Sequence, residues 1–144
     1  MDVDVIARMP VGEGTQHPEP LPPAVVRAAA AVTRDLGLPV EWLNTEIAAQ
    51  WRTGLPPGLD DDLTWRRFGG LHLGLVGRRT LIALKLFAAV DRGPRSVHFQ
   101  DLRTLRPTQA ELDEAAAWVR TQDASEAFGE MVGQVALRAL ESDA

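Results

Sequence analysis

The sequence predicts an α+β fold, with a small mixed β-sheet, helices packed on it and a helical C-terminal half. Three observations lead there. Apolar and polar residues alternate in "MDVDVIARM" and again on both sides of Gly69-Gly70, the period of a half-buried strand. Apolar residues recur at helical spacing between these stretches and after them. Past residue 76 the readable elements are helices with their own start and stop signals.

Taken in order, Val3, Val5 and Ala7 alternate with Asp2, Asp4 and Ile6, which predicts a strand over residues 2–7 in the same sheet as residues 71–76. "PVGEGTQHPEPLPP" (10–23) is rich in Pro, Gly and polar residues and reads as a loop. In "PAVVRAAAAVTRDLG", Pro23 suits a first helical turn and Gly37 a C-terminal cap. Val25, Ala29, Val32 and Leu36 would form its apolar face. "LPVEWLNTEIAAQW" predicts a short extended piece and a short helix capped by Asn44 or Thr45. "RTGLPPGLDDD" is a loop, with Asp60, Asp61 and Asp62 as a solvated acidic turn. "LTWRRF" and "LHLGLV" then form a hairpin around Gly69-Gly70, with Leu71, Leu73 and Leu75 on one face. A helix runs from about Thr80 to Asp91 and stops at Gly93-Pro94. "RSVHFQDLRTL" gives a short helix or turn. Thr108 and Glu111 form a capping box for "TQAELDEAAAWVRTQD". Ser125 starts the last helix, "SEAFGEMVGQVALRALES", with Phe128, Val132, Val135 and Leu140 near one face.

The chain of 144 residues is long enough for one domain with a sizeable core, and nothing in it marks a second. Its 45% hydrophobic and 24% charged residues are those of an ordinary globular protein. A net charge of −5 provides no general attraction to nucleic acid or anionic membranes. With no cysteine, disulfides and thiolate metal sites are excluded. His17, His72 and His98 share no ligand spacing, which argues against zinc. The absence of a long apolar run or a leader-like start leads to the expectation of a cytoplasmic protein. Trp42, Trp51, Trp65 and Trp118 are expected as core or half-buried anchors.

Few residues stand out as candidates for chemistry. Asp2 and Asp4, two apart on a strand, place both carboxylates on one face about 7 Å apart. A divalent cation would relieve their repulsion, and Mg²⁺ prefers hard oxygen ligands; two unconnected acids at an exposed terminus are the alternative. Lys85, the only lysine beside 14 arginines, lies in the strongly apolar "LIALKLFAAVDR". Either its stem packs on the core while the amine reaches water, or the amine meets an anion such as a phosphate. Asp101, sixteen residues on and beyond the Gly-Pro break, can pair with Lys85, Arg92 or Arg95, either as a surface ion pair or as one that holds the following helix.

Taken together, "MDVDVIAR", "EWLN", "LIALKLFAAVDR" and "FQDLRTL" resemble the minimal nucleotidyltransferases of the polymerase β superfamily, in particular the group related to AbiEii-type abortive-infection toxins. The match covers about residues 1–106. It sets Asp2-Val3-Asp4 on the family's Asp-hydrophobic-Asp strand, Trp42-Leu43-Asn44 on its Trp-Leu-Asn segment, and Lys85, Arg92 or Arg95, and Asp101-Leu102 on its Leu-x-Lys-Leu-x-Ala helix and the Arg and Asp-Leu that follow. The resemblance implies that Asp2 and Asp4 hold Mg²⁺, and that Lys85, Arg92 and Arg95 contact a nucleoside triphosphate. It also implies that Asp2, Asp4, Lys85 and Asp101 form the catalytic set, and that the nucleotide goes to an acceptor such as RNA, in a toxin–antitoxin or phage-defence system with an antitoxin protein as partner. The sequence departs from the family in three places. No Gly-Gly or Gly-Ser turn precedes the aspartates, so the expectation is an N-terminally truncated domain. "LHLGLV" offers no third carboxylate. His98 stands where an acid is common. A catalytically inactive binding module of the same fold, acting through a protein partner, is the second expectation.

Overall fold

The computed structural model describes residues 2–141. Its tertiary contacts form two compact units, residues 1–54 and 55–144, and the break falls in the "RTGLPPG" loop. Each unit is described by itself. The α+β class is as expected, but the strands form two separate two-stranded sheets.

In the first unit, β1 (Val3–Asp4) pairs in parallel with β2 (Leu43–Asn44), with Val3 opposite Leu43 and Asp4 opposite Asn44. The Val5 N–H continues the ladder to the Asn44 carbonyl at 2.8 Å. The strand is much shorter than the 2–7 expected from alternation. Past Val5 the backbone turns to other partners: the Trp51 indole N–H donates to the Ile6 carbonyl at 2.6 Å, and Arg8 bridges Gln16. Between the strands lies α1 (Pro23–Leu36), opened by Pro23 and closed by Gly37 at φ 63°. Only glycine adopts this left-handed geometry without penalty, which is why the helix ends there. Val25, Ala29 and Val32 are partly covered, but Leu36 is exposed. Trp42 ties α1 to the segment before β2: its indole N–H donates to Thr33 Oγ1 at 3.1 Å. The Asn44 side chain accepts from the Glu46 N–H at 3.0 Å. It sits one residue ahead of Thr45, the N-cap of the 3₁₀ helix Glu46–Arg52, which makes no side-chain cap hydrogen bond.

In the second unit, β3 (Thr64–Phe68) and β4 (Leu71–Leu75) form an antiparallel hairpin across Gly69-Gly70, in the register read from the sequence. The expected single sheet joining residues 2–7 to 71–76 is absent: the hairpin is hydrogen-bonded to no third strand among the described residues. Alternation identifies a strand but not its partner, because partner choice is a long-range matter. Trp65, expected as an anchor, is half exposed. Its ring fills the space over Gly74, where an added Cβ would come within 3.2 Å of it.

Four helices form the core: α2 (Arg78–Arg92), α3 (Val97–Thr104), α4 (Gln109–Val119) and α5 (Glu126–Leu140). Helix α2 packs against the other three. Ile82, Leu86, Leu102, Leu112, Val119 and Val132 are fully buried there, and Phe128, Val135 and Leu140 of α5 pack against them as the periodicity predicted. Truncating such a side chain typically costs about 2–5 kcal/mol. The expected extension of α5 to Ser142 lies outside the described residues. Asp62 is exposed but not merely solvated. It lies against Gly77, the residue before α2, where a side chain would collide with its carboxylate, and an acid at that end favours the helix dipole.

The caps at Thr108 and Ser125 match their sequence signals, and Ser96 is a further cap that the sequence reading does not single out. Ser96 Oγ accepts from the Phe99 N–H, and Ser125 Oγ from the Phe128 N–H. Thr108 and Glu111 make the reciprocal capping box. No local sequence signal shows that Glu111 also takes Arg78, which donates through Nε at 2.7 Å and Nη2 at 3.1 Å. Arg78 reaches the Arg106 carbonyl as well, at 3.3 Å. These contacts fasten the start of α2 to the turn before α4. The Arg78 hydrogen bonds, then that from the Thr108 N–H, hold the Glu111 carboxyl at a pKa of about 2, against an ordinary 4.5. Because the folded value is depressed, the contribution is fully present above the unfolded value and is lost as pH falls from about 4.5 through 2. Glu111→Gln is therefore expected to flatten that part of the acid-denaturation profile measured by circular dichroism. A profile identical to the parent's would show that the contact does not couple to folding.

Candidate functional site

Asp2 and Asp4 flank Val3 at the start of the first unit, and all three are exposed. Alternation along the extended chain puts the two carboxylates on the same side. The strand beneath them is held on one flank by β2 and just beyond by the Trp51–Ile6 hydrogen bond. Thus the two segments "MDVD" and "EWLN" are neighbours, and Asp4 is the residue paired with Asn44. The Asn44 amide is already engaged with Glu46 N–H and the Glu41 carbonyl. Its observed role is to brace.

The repulsion between Asp2 and Asp4 is small. Two charges about 7 Å apart in water repel by roughly 0.6 kcal/mol, and salt screens them further. The strand tolerates the pair without a cation. Among the described residues no three His, Asp or Glu side chains converge as a metal cage. Two exposed carboxylates still fit one ion, Mg²⁺, which commonly takes only one or two protein carboxylates and completes its shell with water and substrate phosphates.

The other predicted site residues lie in the second unit. Lys85 Nζ donates to Asp101 Oδ2 at 2.7 Å, with the lysine side chain 26% and the aspartate 44% exposed. One end of the pair is on α2 and the other on α3, which pack together. The apolar neighbours Ile82, Leu86 and Ala89 are buried beside Lys85, so its stem follows the core while its charge meets the carboxylate. This is the ion pair that holds the next helix. Arg92 sits beside its neighbour Asp91 at 3.2 Å, with both side chains largely exposed. Arg95 is exposed in the turn between α2 and α3. His98 is partly covered on α3.

A cleft of about 450 Å³ in the second unit is lined by Pro56, Thr80, Ala83, Ala115, Trp118 and Thr121, with the Arg79–Glu114 ion pair among its walls. None of the candidate site residues Asp2, Asp4, Lys85, Arg92, Arg95 and Asp101 lines it. Two features of the first unit also escaped the sequence. Trp51 braces the chain after β1, and its ring lies 5.8 Å from that of His17. An indole N–H in a folded chain needs an acceptor, but no sequence rule selects the Ile6 carbonyl, 45 positions away.

Set beside known protein families, curated proteins and solved structures, the chain matches none of them. The site is therefore read from its own chemistry.

Lys85→Met separates the roles of the ion pair. With the pair half exposed, the loss is expected nearer that of a surface bridge, about 1 kcal/mol, than the 3–5 kcal/mol of a fully buried one. Thermal melts should show a fall of roughly 3–5 °C, recovered when Asp101→Asn is added. An unchanged melting temperature in the single variant would remove the structural role.

Proposed function

We propose that this chain is a nucleotidyltransferase-like protein in which Asp2 and Asp4 present a Mg²⁺-bound nucleoside triphosphate for nucleotidyl transfer to an acceptor such as RNA. One observation carries the reading: the parallel pairing of β1 with β2 sets the Asp-Val-Asp segment beside the Trp-Leu-Asn segment, with both carboxylates open to solvent. Asp2 and Asp4 would hold the Mg²⁺, which would supply positive charge against the charge that develops as the acceptor oxygen bonds to the α-phosphorus and pyrophosphate leaves. What the chain supplies is the placement of two carboxylates on a strand braced by Asn44 and Trp51. Lys85 and Asp101 support the fold of the helical unit in this reading. Arg95 is exposed in the turn between α2 and α3 of the helical unit. Nucleoside triphosphates are cytoplasmic substrates, so the reading places the protein in the cytoplasm. No helix among the described residues is long and apolar enough to cross a membrane.

A second reading rests on a different observation. The hairpin exposes Phe68, Leu71, Leu73 and Leu75, an apolar surface suited to protein contact. It favours a catalytically silent binding module that acts through a protein partner, such as an antitoxin.

Isothermal titration with Mg-ATP and Mg-CTP distinguishes the two. Two carboxylates without a third acid make a weak cradle, so affinity is expected to be poorer than micromolar, that is, weaker than about −8 kcal/mol. It should be lost in Asp4→Asn, and transfer of labelled nucleotide to RNA should be lost with it. If neither nucleotide binds in a Mg²⁺-dependent manner at millimolar concentration, the first reading falls and the binding module stands. Chelation of Mg²⁺ is expected to leave the melting temperature unchanged, because the carboxylate repulsion is too small to unfold the strand. A clear drop on chelation would mean that the ion is structural.

A further inference from the structure

Two-stranded hairpins are marginal in water unless a third strand or a helix covers them. Here all ten strand residues of β3 and β4 are exposed. Cross-strand pairing puts Phe68, Leu71, Leu73 and Leu75 on one face together with Thr64 and Arg66. Those four apolar residues are 61%, 45%, 41% and 49% exposed.

The two edges of the hairpin differ. β3 carries Arg66 and Arg67, which make no ion pair among the described residues. Charge on an edge strand opposes the addition of another strand. β4, "LHLGL", carries no Asp, Glu, Lys or Arg, so nothing guards its edge. The backbone geometry agrees. The two-residue turn at Gly69-Gly70 makes Phe68 and Leu71 a hydrogen-bonded pair, so Leu71, Leu73 and Leu75 direct their N–H and C=O groups at β3. The N–H and C=O groups of His72 and Gly74 then point outward, to an edge on which no strand lies among the described residues.

We infer that β4 pairs antiparallel with β4 of a second copy of this chain, about a two-fold axis at Leu73. In that register His72 faces Gly74 of the copy, and these two exchange the outward N–H···O=C bonds in both directions. Leu71 faces Leu75, and Leu73 faces Leu73, so all the leucine pairs fall on one face. The Trp65 ring that covers Gly74 would lie beside the imidazole opposite it. An isologous contact of this kind closes on itself, and the arginines on the outer strands stop further growth.

Charge excludes the other self-contacts. A β3–β3 pairing would put arginines of both copies on neighbouring strands, about 5 Å apart at their Cβ atoms. Stacking the two apolar faces at about 10 Å would drive Arg66 against its copy. In the β4–β4 sheet the two Arg66 residues are three strand spacings apart, roughly 14 Å, beyond the screening length of about 8 Å at physiological salt.

The test uses the whole chain. In sedimentation velocity the mass is expected to rise from 15.7 kDa to twice that value as concentration increases. His72→Pro removes an outward N–H but none that reaches β3, and it should remain monomeric with an unchanged helical circular dichroism spectrum. The natural chain has no cysteine, so single cysteines report contact without background. At the axis, Leu73→Cys would lie about 4.5 Å from its copy, Cα to Cα, within disulfide range. Mild oxidation should convert it to a covalent dimer and leave Arg66→Cys monomeric. A parent chain that stays monomeric at its highest attainable concentration overturns the inference. So does a His72→Pro variant that still dimerises, or equal cross-linking of the two cysteine variants.

Discussion

The burial of α2 is the constraint on which the helical unit depends. "RRTLIALKLFAAVDR" is apolar on so much of its circumference that one neighbour cannot cover it, and α3, α4 and α5 all pack against it. Ile82, Leu86, Ala89 and Val90 vanish into that contact. Once three sides are enclosed, a lysine in the middle has few places to put its charge. Lys85 resolves this through length: its methylenes lie among apolar neighbours while the ammonium meets Asp101 at 2.7 Å. The lone lysine is thus first a consequence of packing. It joins the helix everything packs on to the next one, and any role toward phosphate comes second to that.

The ends of the same helix are held by a different chemistry. Asp62 sits at the start of α2, and Arg78 of its first turn grips Glu111 and the Arg106 carbonyl. Glu111 is in turn part of the box that opens α4. One carboxylate therefore serves the cap of its own helix and the anchoring of another, and this double use accounts for its depressed pKa. Gly93 at φ 88° ends α2 where the chain must turn into α3, so packing in the middle and polar contacts at the ends set the limits of the element together.

Exposure separates the two candidate surfaces from this core. Asp2 and Asp4 lie on a strand only two residues long, kept in place by a parallel partner and a tryptophan hydrogen bond. The β3–β4 hairpin offers unpaired backbone and leucines instead. The first is suited to a hard cation with phosphates, since its oxygens are open and its repulsion is mild. The second is suited to another strand, since its edge lacks the charges that keep strands apart. Under the two proposals, nucleotide chemistry and protein association would fall to different elements and make different demands on the sequence.

Much of the local structure was legible in the sequence. Pro23 and Gly37 bound α1, Gly69-Gly70 sets the hairpin register, Thr108 and Glu111 open α4, and Ser125 opens α5. Each signal acts over about four residues, through a fixed φ, a missing Cβ or a side chain that reaches its own backbone. The Lys85–Asp101 pair was legible as one of several options, because an ammonium on so apolar a helix needs a nearby acid. Only the tertiary structure decided which strands pair. The expected sheet joining residues 2–7 to 71–76 gave way to two separate pairs, because alternation specifies a strand's faces and not its neighbour. It also decided that Trp65 stays half exposed over Gly74 while Trp51 reaches Ile6, and that Arg78 finds Glu111 across 33 positions. Those contacts depend on where distant segments arrive in space, and no local pattern encodes that.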